Sequence, residues 1–283
     1  MPAAFRALAW VADAGGLATE RRRFVSFTRR NPQQVYAVHM PTPSLHAEQE
    51  LVERNRRFYD GLWRGAQLTE PQRFNTWPLV MRLIAGATQR LEVAPGLRPR
   101  FPLHGTHFVD ISAPALQRLQ AGGANALQGH VTALPFPDAT FDAVCALDII
   151  EHVVDDEGAL AELARVAKPG AAVLLSAPLH PASWTAFDDF VGHYRRYEPE
   201  RLLAKLRAHG LTLEHSAIYG MQPKSSKLLD VGMWFLTHRR RQAMWWYNRT
   251  LPLFVRFQKP LALVPGMVGT AQVDEVLLVC RKV

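Results

Sequence analysis

Cysteine is nearly absent from this 283-residue chain. Cys145 and Cys280 are the only two, each sits inside an apolar strand pattern, and neither a disulfide framework nor a zinc-ligand spacing can be drawn from them. No run approaches the ~20 apolar residues that a membrane span requires. The opening residues 1–16 lack the ordered charged, apolar and small-residue segments of a secretory signal, so the expected location is the cytoplasm. Acidic residues are also in deficit, 25 Asp and Glu against 33 Lys and Arg, for a net charge of +8. That excess marks either an anionic partner, nucleic acid or a lipid surface, or the Ala/Arg/Pro-heavy bias of a high-GC genome.

What is present is an ordered series of signals between Arg90 and Pro178. An apolar strand carries an acid into a glycine turn, Leu91-Glu92-Val93-Ala94-Pro95-Gly96. A strand ending in Asp110 follows, then the turn Leu134-Pro135-Phe136-Pro137-Asp138. A further strand runs into Asp148-Ile149-Ile150-Glu151-His152, and a helix closes at Lys168-Pro169-Gly170. Alternating strand and helix patterns predict a parallel sheet with helices on both faces. The predicted elements are helices over 44–62 and 74–84, strands over 90–94 and 106–111, a helix over 113–121, and strands over 126–131 and 141–148. Then come a helix over 156–167, a strand over 171–177, a helix over 198–209, a strand over 211–219 and a last strand over 273–280. The two opening helices are expected to cover the mouth of a cleft at the strand ends.

The organisation follows. Residues 1–43 are an N-terminal extension with little periodicity, either disordered or the product of an upstream start codon. Residues 44–220 with 273–283 form the core. Residues 221–272 are an insertion too long for a plain loop. In it Trp234, Phe235, Trp245, Trp246, Tyr247, Phe254 and Phe257 interleave with Arg239, Arg240, Arg241, Arg249, Arg256 and Lys259. It reads as a cap over the substrate, or as an ordinary helical hairpin.

An acid about 20 residues past a glycine turn is how such sheets hold a nucleoside ribose, and Glu92 to Asp110 is 18 positions (110 − 92). Taken in order, these motifs resemble the seven-stranded, Rossmann-like class I S-adenosyl-L-methionine-dependent methyltransferases, the bacterial small-molecule (type 11-like) kind, over roughly Phe58 to Gly220 plus the last strand. The resemblance implies a mostly parallel α/β sheet, here with a helical insertion before the last strand, and S-adenosyl-L-methionine as cofactor. It implies that Asp110 grips the ribose diol, although capping of the following helix is the plainer use. It puts Ile111 and Val131 against the adenine, with His130 either donating to it or merely exposed. It gives Glu92 the task of orienting the glycine turn and facing the methionine amine, and places Leu147 and Asp148 at the amino-acid end.

The chain departs from the family at the glycine turn. The positions of Gly-x-Gly-x-Gly fall on Ala94, Gly96 and Arg98, and three prolines between 95 and 106 leave no room for the usual helix. The anion site of a helix N-terminus is thereby weakened. Arg98 or Arg100 then either supplies the lost charge to the methionine carboxylate or stays a solvated loop arginine.

If the acceptor is a hydroxyl, a base of near-neutral pKa helps, and histidine is the usual choice. His152, after Glu151 at the end of the fourth strand, is one candidate base; capping the next helix is its structural alternative. His193, in the His-x-Arg-x-Tyr string of the loop after the fifth strand, is the other; locking that loop is its alternative. The absence of Asn/Asp-Pro-Pro-Tyr argues against exocyclic amines, and the absence of a strand-end cysteine against cytosine carbon. A small-molecule or lipid-linked acceptor is expected, methylated on oxygen or carbon, with peripheral membrane contact through 221–272 and no metal. The rivals are an RNA methyltransferase, which would need a nucleic-acid module not recognisable here, and a catalytically silent member of the same fold.

Overall fold

The computed structural model describes residues 45–220 and 226–283; the expected extension over 1–43 and the expected first residue of the opening helix, 44, lie outside them. In chain order the elements are α1 (Leu45–Gly65), α2 (Trp77–Leu83), β1 (Arg90–Val93), β2 (Thr106–Asp110), α3 (Ala113–Ala121), β3 (Asn125–Gln128), β4 (Phe141–Ala146) and α4 (Asp156–Val166). They continue with β5 (Ala167–Pro178), α5 (Ala186–Val191), α6 (Pro199–Ala208), β6 (Leu211–Tyr219), α7 (Ser226–His238), α8 (Arg240–Phe254), β7 (Val264–Pro265) and β8 (Glu275–Lys282).

The sheet order is β3-β2-β1-β4-β5-β8-β6-β7. Strands β1 to β5 pair in parallel, and β8 runs antiparallel to both β5 and β6. This is the expected Rossmann-like sheet with one strand more than the seven anticipated. The eighth, β7, is a two-residue edge strand donated by the insertion to His215 and Ser216. The chain moves outward from β1 through β2 to β3, then returns to the other side of β1 for β4. That reversal opens a crevice beyond the C-terminal ends of β1 and β4, the place where such sheets bind ligands.

Alternation along each strand sets the layers. Val144 of β4 and Val276 and Leu278 of β8 face a core with Leu160 and Leu163 of α4 and Leu202 and Leu206 of α6. Their neighbours Cys145, Leu277 and Val279 face the other side, under Leu79, Val80 and Ile84. Both cysteines are free and buried. Helix α2 therefore covers a sheet face rather than the cleft mouth, because its apolar side matches the odd residues of β4 and β8. The Lys168-Pro169-Gly170 stop lies inside β5: Phe141 pairs with Ala167 and Ala143 with Ala172, and the extra residues bulge out between them. Gly170, at φ +79°, takes the left-handed conformation that this excursion needs.

The insertion folds into the α7–α8 hairpin, joined to α1 rather than laid on the strand ends. Leu236, Ala243, Met244 and Tyr247 pack with Leu62, Trp63 and Ala66. Asn248 locks the joint, accepting from the Gln67 amide (2.9 Å) and donating to the Gly65 carbonyl (2.8 Å). Trp234, Trp245, Trp246 and Phe257 remain 49%, 55%, 51% and 79% exposed. Among the described residues no helix is long and apolar enough to cross a membrane.

Candidate active site

The loop after β1 keeps the shape of a glycine turn with only the middle one of its three glycines. Ala94 and Gly96 both sit at φ +54°, so the first position holds a left-handed backbone although it carries a side chain. Two buried carboxylates impose this. Asp110 Oδ2 accepts from the Gly96 amide at 2.9 Å, and its Oδ1 accepts from Ser112 at 2.8 Å. Glu92 accepts from the Arg100 amide through both oxygens (2.8 and 3.0 Å) and from Phe101 at 2.8 Å. Burial pushes Glu92 up to about 7, against the pull of the Phe101 and Arg100 amides. Burial likewise pushes Asp110 up to about 6, against the Ser112 and Gly96 amides. The turn is thus held by two acids beneath it. Left-handed backbone at a residue with a Cβ costs about 1 kcal/mol, so Ala94→Gly is expected to raise unfolding free energy by about that much in urea titration, without altering the transition's slope.

Helix α1 lies over this turn. Trp63, 4% exposed, packs so closely on Gly96 that a Cβ there would stand 2.2 Å from Trp63 Cζ2. The Arg98 guanidinium sits 5.5 Å over the Trp63 ring. Arg100 turns elsewhere: it donates to Tyr219 Oη (3.1 Å) and to the Arg98 carbonyl (2.7 Å), and stacks 3.7 Å over Phe74. Its side chain is thereby committed to structure, which leaves Arg98 as the arginine of the turn.

Several expected cofactor residues sit differently from the strand reading. β3 stops at Gln128, so His130 and Val131 belong to the turn after it. His130 Nδ1 lies 2.7 Å from Thr132 Oγ1, and Val131 is buried in the core beside Val109 and Leu134. Ile111 is half-buried, and its carbonyl accepts from Gln128 Nε2 at 3.2 Å. β4 stops at Ala146; Leu147 packs under Leu79 and Val80. Asp148, left-handed at φ +54°, exchanges hydrogen bonds with Ser176, its amide donating at 2.8 Å and its Oδ1 accepting at 2.5 Å. Asp110 does not cap α3, whose N-cap is Ser112.

The second half of the site gathers around Glu151, His152 and His193. His152 does not cap α4; Asp155 does, accepting from the Gly158 amide at 2.8 Å. The His152 ring is buried, with Nε2 3.1 Å from Tyr59 Oη and Nδ1 3.3 Å from the Gly192 carbonyl. Burial, then the neighbouring His193, push it down to about 3, which removes it as a base working near neutrality. His193 stands edge-on to it, with ring centroids 4.7 Å apart. Its Nδ1 lies 2.8 Å from Asp188 Oδ1, and its Nε2 lies 3.9 Å from Glu151 Oε1. Asp188 also takes Arg196 Nε at 2.8 Å and Nη2 at 3.0 Å. Burial works to raise it, but the His193 and Arg196 bonds prevail and hold this carboxyl well below the usual range. Burial and the charge of Asp148 raise Glu151 well above its ordinary value.

Sequence reasoning missed Tyr59, Trp63 and Asp188. Tyr59 and Trp63 are four apart on α1 and stack at 6.3 Å, an aromatic pair at helical spacing that reads as core. Asp188 lies five residues before His193, and that spacing was the available signal for a carboxylate orienting an imidazole.

Residues 93–175 match a family described as a methyltransferase domain. The chain is 46% identical over 59 residues to demethylmenaquinone methyltransferase of Streptomyces avermitilis, covering 21% of this chain and 25% of that protein. It is 34% identical over 70 residues to 2-methyl-6-phytyl-1,4-hydroquinone methyltransferase 1 of Oryza sativa subsp. japonica, covering 25% and 21%. These alignments span about a quarter of the relatives' length. The crystal structure of MccD protein superposes with a TM-score of 0.50 at 15% identity, covering 77% of this chain and 100% of that one, a likeness of fold. Residues 93–175 of this chain are thus similar to a methyltransferase-domain family, and they lie in a sheet of Rossmann-like order.

Proposed function

We propose that the chain transfers a methyl group from S-adenosyl-L-methionine to an oxygen or carbon of a small acceptor bearing an apolar portion. The observation that carries this is the corner around Asp110. The Ser112 hydroxyl and Asp60 Oδ1 are buried there without hydrogen-bond partners, and Asp60 is near enough for its charge to raise Asp110. Orphaned polar atoms beside a carboxylate at a strand end suit a polyhydroxyl ligand. The donor set fits the cofactor: Asp110 and Ser112 for the ribose, the 94–98 turn and Arg98 for the methionine end. The bound cofactor supplies an electrophilic methyl carbon. The chain's own work is alignment: Glu92 and Asp110 fix the turn, Trp63 and Tyr59 shut out water, and the acceptor rests against the Glu151–His152–His193 cluster. Positioning of this kind can lower a barrier by several kcal/mol.

Isothermal calorimetry with S-adenosyl-L-methionine tests the first half. Wild type is expected to bind and quench Trp63 fluorescence, Arg98→Ala to lose about tenfold in affinity, worth about 1.4 kcal/mol, and Asp110→Ala to lose more. No binding by a folded wild type would leave the fold without the chemistry.

The acceptor class rests on the insertion. The exposed Trp234, Trp245, Trp246 and Phe257 lie among arginines, one of which, Arg249, sits 5.7 Å over Trp245. A groove of about 510 Å³ runs between α2 and the end of the insertion, lined by Phe74, Trp77, Arg82, Val255, Arg256 and Leu261. Such a surface suits a lipid-linked acceptor presented at an anionic membrane, each basic residue near it adding ~1 kcal/mol. Co-sedimentation with vesicles containing phosphatidylserine is expected for wild type, to weaken with added salt, and to fall about tenfold in Trp245→Ser/Trp246→Ser; equal pelleting of wild type and variant would refute the membrane contact.

A further inference from the structure

Glu151, His152 and His193 are more than a polar floor. One ligand atom from each lies within 4.8 Å of the other two, and the arrangement around them selects which atoms face inward. The His193 Nδ1 faces Asp188, which as a carboxylate only accepts. Nδ1 therefore carries the ring proton, and Nε2 presents its lone pair toward Glu151. The His152 Nδ1 faces the Gly192 carbonyl, likewise an acceptor, so its Nε2 also presents a lone pair. Glu151, 2% exposed, leaves Oε2 buried and without any hydrogen-bond partner. Three electron-pair donors converge, and no donated hydrogen among the described residues answers the carboxylate oxygen. An imidazole whose far nitrogen is held by a carboxylate or a backbone carbonyl is the arrangement that orients metal-binding histidines.

We propose that Glu151, His152 and His193 bind one divalent first-row transition-metal ion. Two imidazoles and one carboxylate leave a coordination position open, as in the His2Glu zinc sites and the facial iron sites of other enzymes. Closing the set around bonds of about 2.1 Å brings the ligand atoms to about 3.4 Å from one another. Side-chain rotations in the loop ending at His193 supply that contraction. Tyr59, 3.1 Å from His152 Nε2, currently uses the lone pair the ion would take, so its hydroxyl turns aside on binding and borders the open position. Resting on the methyltransferase reading, the ion's partner is a phenolic or enolic oxygen of the acceptor. On coordination the O–H proton leaves to bulk water, because the cation stabilises the oxyanion, and the oxygen or its conjugated carbon becomes the nucleophile.

The test is titration of the chelator-stripped, full-length protein with Co²⁺, followed by visible d–d absorption, with Zn²⁺ as competitor. One Co²⁺ per chain is expected, displaced by Zn²⁺. Glu151→Gln and His193→Gln should lose at least a hundredfold in affinity, and Asp188→Asn ten- to a hundredfold. Tyr59→Phe should bind as tightly as wild type or tighter, because a competitor for the His152 lone pair is removed; a network held only by hydrogen bonds predicts no such gain. His209→Gln, a half-buried imidazole paired with Glu157 on a separate face, should leave the signal unchanged. Absence of d–d absorption in wild type, or its persistence in folded Glu151→Gln and His193→Gln, overturns the proposal. S-adenosyl-L-methionine calorimetry on the same stripped protein reads the other question separately. Ion binding without cofactor binding would sink the methyl-transfer reading alone, and the reverse would sink this one.

Discussion

Gly96→Ala is expected to cost about 2–5 kcal/mol of unfolding free energy and to abolish cofactor binding. Two effects add. The backbone there is at φ +54°, which a Cβ disfavours by about 1–2 kcal/mol. The new methyl would also stand 2.2 Å from Trp63 Cζ2, and forcing an extra methyl into a packed site costs about 1–3 kcal/mol. The indole cannot easily yield, since it is stacked on Tyr59 and packed against Leu97 and Met244. A double-mutant cycle with Trp63→Leu checks the cause: denaturant midpoints should show strong coupling, with Gly96→Ala costing far less once the indole is gone. Simple additivity would show that the penalty comes from the backbone alone.

The second large effect is a pH dependence centred on Glu92. Its carboxyl is moved from 4.5 to about 7 by burial, a change worth about 3 kcal/mol between its two protonation states. The sign follows from linkage. Below pH 4.5 the group is protonated in both folded and unfolded chains, and its contribution is fully present. As pH rises toward 7 the unfolded chain releases the proton first, and stability is lost. Asp110, raised from 3.8 to about 6, acts in the same direction at slightly lower pH. Denaturant unfolding measured between pH 5 and 8 should therefore show wild-type stability falling with rising pH through this group. Glu92→Gln should flatten that slope while losing stability at pH 5, where the amide keeps one oxygen acceptor for the three bonds that Arg100 and Phe101 now donate. An unchanged slope in the variant would mean that the Arg100 guanidinium keeps the carboxylate ionised throughout.

The architecture was legible because it is written in short-range pattern. The apolar alternation of Leu211 to Tyr219 and the Pro199 start of α6 both lie where periodicity puts them. The acids at 92 and 110 were legible for the same reason, being costly in buried strands unless they have work to do. What the sequence hid is contact between distant segments. Nothing local says that Trp63 covers Gly96, 33 positions on, or that the α7–α8 hairpin would grip α1 through Asn248. Strand ends were misplaced at β3 and β4 because Val131 and Leu147 are apolar for core packing after the strand, which looks like its continuation. Pro169-Gly170 reads as a stop in the sequence, yet a bulge absorbs it because Ala172 re-enters the same pairing. His152 and His193 were found as titratable candidates. Their orientation, set by Gly192 and Asp188, could not be read from neighbours in the chain.

Helix α1 touches both halves of the site, with Trp63 on the glycine turn and Tyr59 on His152, one helical turn apart. On the proposed function, a rod of 21 residues gripped near its C-terminal end by the insertion would shift over both halves together, so neither ligand would enter or depart while the other stays fully enclosed. Steady-state turnover should then obey a sequential scheme in which exit of the spent cofactor and exit of the methylated product share one gate. Anything that loosens the hairpin's hold on that rod, whether a bilayer against its tryptophans or a substitution at Asn248, would quicken both departures together.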